Sequence, residues 1–149
     1  DFQYSELTGT ARKGLAIITC MDSRISPLAA VGMQAGDAKI LRNAGARVTD
    51  DVLRTLVLAS YLLGVVRVLV MPHTDCRMAT TDEASIHKTI KDQFGVDTSS
   101  LEFRAVSNQR EALAEDVARI RAYSLLQKGV SVAGAIYNVS TGQIEPIDC

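Results

Sequence analysis

Short apolar runs alternate with amphipathic stretches from one end of the chain to the other. "GLAIITC", Gly14 to Cys20, is a β-rich apolar run and reads as a central strand. "QAGD" then reads as a turn, and "AKILRN", Ala38 to Asn43, as a second strand. "TDDVLRTLVLASYLLG" has the helical period, with Val52, Leu56, Ala59 and Leu63 on one face. Thr49 or Asp50 caps it and Gly64 stops it. "VVRVLVMP", Val65 to Pro72, is a third, valine-rich strand.

The second half repeats the alternation. "TTDEASIHKTIKDQFG" predicts a helix with Ile86, Ile90 and Phe94 on one side and Gly95 at its end. "LEFRAVS", Leu101 to Ser107, reads as a strand. "NQREALAEDVARIRAYSLLQKG" predicts an amphipathic helix with Leu113, Val117, Ile120 and Ser124 on one side and Gly129 at its end. "VSVAGAIYNVSTGQIEPID" predicts two strands joined at Ser140-Thr141-Gly142. Strands alternating with helices imply an α/β fold: a mainly parallel central sheet flanked by helices, with a C-terminal hairpin adding an antiparallel edge. No internal repeat or linker divides residues 1–149, so a single domain is expected.

Composition narrows the function classes. Of 149 residues, 47% are hydrophobic, which supports a sizeable core. Sixteen basic against 17 acidic residues leave a formal net charge of −1, without the basic excess of a nucleic-acid binder. The longest apolar stretch, Leu56 to Met71, is broken by Gly64 and Arg67 and is too short for a membrane span. Three cysteines, an odd number, do not form a disulfide framework and suit a reducing, cytoplasmic compartment.

The candidate chemistry gathers at two predicted strand ends, where sites of open α/β sheets form. "CMDSR" puts Cys20, Asp22 and Arg24 at alternate positions, so an extended chain would aim all three at one spot. "HTDC" puts His73 and Cys76 on one tight turn. Together Cys20, His73 and Cys76 form a donor set suited to Zn²⁺. Three protein ligands leave the fourth tetrahedral position to water or substrate, as in catalytic sites. Asp75 reads as solvent-facing or as a helix cap, and His87 as a solvated histidine or a proton shuttle.

Taken with "RNAG", Arg42 to Gly45, the C-x-D-x-R and H-x-x-C motifs resemble those of the β-class carbonic anhydrases, most of all its compact members. The resemblance runs from the first strand through the helix after Cys76. It implies a zinc lyase that reversibly hydrates CO₂ to bicarbonate through a zinc-bound hydroxide. Cys20, His73 and Cys76 would be the metal ligands, and Asp22 and Arg24 the catalytic pair beside the metal. Held by Arg24, Asp22 stays off the metal; released, it becomes the fourth ligand of a closed state. The resemblance also implies a homodimer or higher homo-oligomer, with the helix from Asp50 to Gly64 as a candidate interface.

The pattern departs from the family at Arg77, which stands where a glycine usually follows the second cysteine. With no tryptophan in the chain, an inhibitory bicarbonate pocket built on one is not expected. Two other functions fit the motifs. One is a zinc hydrolase of carbonyl sulfide or carbon disulfide on the same fold. The other is a non-catalytic zinc-stabilised assembly module, which would need neither Asp22 nor Arg24.

Overall fold

A computed structural model describes residues 2–149; Asp1 lies outside the described residues. Five strands form one sheet in the order β2-β1-β3-β4-β5. They are β1 Leu15–Cys20, β2 Ala38–Asn43, β3 Arg67–Met71, β4 Ser131–Tyr137 and β5 Ile144–Ile147. β1 pairs in parallel with β2 and β3, β3 pairs in parallel with β4, and β5 runs antiparallel to β4. All six residues of β1 are buried, as a strand covered on both faces requires.

Four α-helices flank the sheet: α1 Pro27–Ala30, α2 Asp50–Leu62, α3 Glu83–Phe94 and α4 Gln109–Arg121. Ala16, Ile18, Val68, Val70 and Val132 share one core with Val52, Leu53 and Leu56 of α2 and Leu113, Val117 and Ile120 of α4. Leu15, Ile17, Ile25 and Met71 belong to a second, smaller core with Cys20 and Cys76. Thr49 caps α2 by accepting from Val52 N, and Asp82 caps α3 by accepting from Ser85 N. α3 ends in the left-handed Gly95 (φ 71°), a conformation that glycine adopts without a Cβ penalty.

Two expectations are corrected. Leu101–Ser107 is not a strand, because its backbone bonds elsewhere. Phe103 N and Ala105 N donate to the Glu83 carboxylate, Val106 N donates to Met78 O, and Arg104 sits at φ 59°, outside the extended region. The last long helix stops at Arg121 rather than running to Gly129. Tyr123 N and Leu126 N turn back to carbonyls three residues earlier, while the Arg121 guanidinium donates to Val132 O and Cys149 O.

One buried ion pair fastens α4 to the chain after β2. Arg47 Nε lies 2.8 Å from Asp116 Oδ2, and Val48 N donates to the same oxygen. Arg47 Nη1 also donates to Arg104 O. With Asp116 almost fully enclosed, Asp116→Ala strands a buried guanidinium. The variant is expected to lose about 3–5 kcal/mol of stability, read from the urea midpoint at an unchanged slope. A loss inside 0.5 kcal/mol, the typical scatter for a surface change, would make the pair irrelevant to folding.

Candidate metal centre

In a sheet ordered 2-1-3-4-5, the connections leave β1 and β3 in opposite directions. That opens a crevice beyond their carboxyl ends. Cys20 is the last residue of β1, and His73 and Cys76 follow β3 directly. Cys20 Sγ, Cys76 Sγ and one nitrogen of His73 all lie within 4.8 Å of one another, and all three residues are buried. Among the described residues this is the one cluster of histidine, cysteine and carboxylate side chains with metal-binding geometry.

The histidine carries the clearest sign of a metal. Its Nδ1 is 2.7 Å from Thr74 O. A carbonyl only accepts, so Nδ1 carries the proton and Nε2 holds a lone pair. Nε2 is buried and has no hydrogen-bond partner, which is costly unless something accepts that lone pair. Burial, with the neighbouring Cys20 thiol, pushes the Cys76 thiol up from its ordinary range. Two crowded thiols and an orphaned imidazole nitrogen are poorly satisfied together, and a soft divalent cation would satisfy all three. The residues therefore fit zinc.

Backbone amides and carbonyls hold the cluster in place. Gly45 N donates to Cys20 Sγ at 3.4 Å, from a 3₁₀ turn at Ala44–Ala46 where Gly45 takes φ 83°. A Cβ there would sit 3.1 Å from Met78 Cβ, so glycine is needed for space as well as conformation. Asn43 closes this turn through Arg47 N and Arg47 O. Arg42 donates to three carbonyls at the end of β1 and in the loop after it: Cys20 O at 2.9 Å, Asp22 O at 2.6 Å and Ile25 O at 3.3 Å. Gln109, at the start of α4, donates to His73 O, and Thr74 Oγ1 accepts from Val139 N.

Asp22 and Arg24 lie at the rim. The chain is not extended after Cys20; it turns, with Ile25 N donating to Asp22 O. The expected face-sharing of positions 20, 22 and 24 is therefore replaced by a turn that brings Asp22 and Arg24 together. Arg24 N and Nε donate to Asp22 Oδ1 at 2.9 and 3.0 Å, and Nη2 donates to Oδ2 at 2.7 Å. These Arg24 hydrogen bonds hold the Asp22 carboxyl well below the usual range, so it is ionised across the working pH of proteins. Asp22 Oδ2 remains 3.7 Å from His73 Nε2.

Asp75 is solvent-facing as expected, Arg77 also points to solvent, and His87 departs from the expected solvated histidine. Asp75 caps no helix: it is a left-handed residue (φ 53°) whose Oδ2 accepts from Arg24 Nη1 at 2.9 Å. Arg77 is exposed and has a negative φ, so the backbone does not require the glycine usual there. His87 is half-buried in a network of its own: Nδ1 is 2.7 Å from Thr98 Oγ1, Nε2 is 3.5 Å from Glu83, and the ring packs on Phe103. The RNAG segment supplies a tight backbone turn at Asn43 to Gly45, whereas the roles of Arg42 and Arg47 leave no local signal because their partners are backbone groups or distant residues. Only Asp116 left a trace, as a charge inside the apolar stripe of Leu113, Val117 and Ile120.

Comparisons with known proteins agree on one family. The family model described as carbonic anhydrase matches residues 15–144. Beta-carbonic anhydrase 1 of Mycobacterium tuberculosis is 33% identical over 136 residues, spanning 91% of this chain and 82% of its own. A crystal structure of a carbonic anhydrase from Streptococcus mutans superposes with a TM-score of 0.91 at 38% identity, covering 97% of this chain and 87% of that one. A carbon disulfide hydrolase of Acidithiobacillus thiooxidans is 29% identical over 152 residues, spanning 89% of this chain and 76% of its own.

Proposed function

From the premise that this chain belongs to the β-carbonic anhydrase family, we propose that it reversibly hydrates carbon dioxide to bicarbonate at a zinc ion held by Cys20, His73 and Cys76. The observation that carries this reading is the buried, unpartnered His73 Nε2 facing two buried thiols, 3.7 Å from a carboxylate that Arg24 keeps ionised. Zinc in such a donor set supplies Lewis-acid activation of water near neutral pH.

The chain's own residues do the rest. Asp22 is the catalytic carboxylate. As an acceptor-only anion, it takes a hydrogen bond from water entering the site and turns that water's lone pair toward the carbon of CO₂. Arg24 is its positioning residue: the forked contact fixes the carboxylate plane and keeps it charged. Released from Arg24, Asp22 would be the further carboxylate that could hold the metal and close the site. The Gly45 amide donates to Cys20 Sγ and offsets part of its charge. The Thr74 carbonyl fixes the His73 tautomer, as second-layer partners of ligating histidines do. Water and CO₂ give bicarbonate and one proton, which leaves to solvent.

Carbon disulfide is the competing substrate, since relatives with that activity share the family. The carboxylate held by Arg24 argues against a purely structural zinc module, which has no use for it. We also read the exposed Leu58, Tyr61 and Leu62 of α2, with Val66, as the contact of a homo-oligomer. No helix among the described residues is long and apolar enough to cross a membrane, and cysteines kept reduced for the metal fit a cytoplasmic compartment.

The test is a CO₂ hydration assay on protein of measured metal content, run beside sulfide release from carbon disulfide. The expected result is about one zinc per chain and hydration that scales with zinc loading. Freshly purified protein without zinc would defeat the site, and sulfide release without hydration would reassign the substrate.

A further inference from the structure

Arg24 serves two carboxylates. One edge of its guanidinium holds Asp22. Nη1 donates to Asp75 Oδ2 at 2.9 Å, and Nη2 donates to Asp75 O at 3.1 Å. Asp22 belongs to the loop after β1 and Asp75 to the turn after β3, between the two candidate ligands His73 and Cys76. Arg24 therefore ties together, across the crevice, the two loops that adjoin or carry the candidate ligands. The turn is shaped for this contact. Asp75 sits at φ 53°, a conformation most residues avoid and aspartate tolerates.

We propose that Asp75 is a positioning residue for the reaction, anchoring the outer edge of Arg24 so that its inner edge stays aligned on Asp22. This rests on the hydration function proposed above. The arginine side chain is nearly half exposed and has many rotamers. Held on one edge only, it would rotate with Asp22 rather than restrain it. A guanidinium fixed on both edges is a rigid fork, and a rigid fork keeps the carboxylate in one plane. The Asp75 side chain is 73% exposed, so its charge is screened and its contribution is the hydrogen bond.

Two substitutions separate these effects. Asp75→Gly removes the side chain and suits the left-handed backbone. Asp75→Asn keeps an acceptor oxygen and also tolerates that backbone, but lacks the charge. Turnover in Asp75→Gly should fall about fivefold at unchanged zinc content, roughly the contribution of one hydrogen bond. Asp75→Asn should recover most of that loss. Nitrogen-15 NMR of the arginine side chains gives a readout independent of catalysis. The Arg24 Nη groups should be distinct in the wild type and in Asp75→Asn, and averaged by rotation in Asp75→Gly.

Unchanged turnover or distinct Arg24 signals in Asp75→Gly overturn the proposal. So does an Asp75→Asn variant as impaired as Asp75→Gly, which would make charge the cause. If Asp75→Gly does not fold, the wild type decides instead: Arg24 Nη signals already averaged there overturn the proposal. A wild-type protein that hydrates no CO₂ refutes the proposed function, while the NMR comparison still tests the anchor.

Discussion

Cys20→Ser is expected to abolish both metal retention and CO₂ hydration. Cys20 ends a strand buried along its whole length, and its Sγ faces His73 and Cys76 within 4.8 Å. A serine hydroxyl is smaller, harder and not ionised near neutral pH. The donor set then keeps one thiolate and one imidazole, too few for a tight zinc site. Serine is close in shape to cysteine, so the strand and its pairing with β2 and β3 should persist. Zinc per chain should fall below about a tenth after dialysis, with activity at background and an unchanged circular dichroism spectrum. Full zinc content in the serine variant would show that Cys20 is not a ligand.

Asp22→Asn should separate binding from chemistry. The substitution is isosteric and touches none of the three donors, so zinc content should match the wild type. The asparagine oxygen can still accept from Arg24. Its amide nitrogen then replaces Oδ2, the atom 3.7 Å from His73 Nε2, and puts a donor where the reaction needs an acceptor. Losing one preorganised electrostatic group of this kind costs roughly 100-fold in turnover. Stopped-flow hydration at constant zinc loading measures it. A fully active Asp22→Asn enzyme would remove the catalytic role assigned to that carboxylate.

The sheet was legible because its strands are short, apolar and β-branched, and because its helices announce their ends. Ala38–Asn43 falls where the pattern puts it, Thr49 caps its helix, and Gly95 stops another. The cluster of Cys20, His73 and Cys76 was legible for a similar reason: cysteine and histidine at strand ends are few, and their spacing is local. What stayed hidden depends on partners distant in sequence. Leu101–Ser107 has strand-like composition, but its amides are taken by Glu83 and Met78. Arg42 reads as an ordinary cation at a strand end and clamps three carbonyls some 20 positions away. Alternate positions suggested that Asp22 and Arg24 meet on an extended chain; they meet on a turn, through contacts that the residue types permit in either geometry.

The Arg42 clamp also bears on time. With the carbonyls of Cys20, Asp22 and Ile25 all pinned, the loop after β1 has little freedom to move as a body. A shift of Asp22 from Arg24 toward His73 is then a change of side-chain torsions. Free side chains at exposed positions rotate in picoseconds to nanoseconds and loops and lids open in microseconds or longer; Asp22, 19% exposed and held by Arg24, falls between the two. Even the fastest zinc hydration, near 10⁶ per second, is slow beside a rotamer change. A second position of Asp22, released from Arg24, would then be reached by torsions alone, with no opening of the loop. Such a position would enter the observed rate as a fraction of competent molecules, with no slow loop step to give lag or hysteresis.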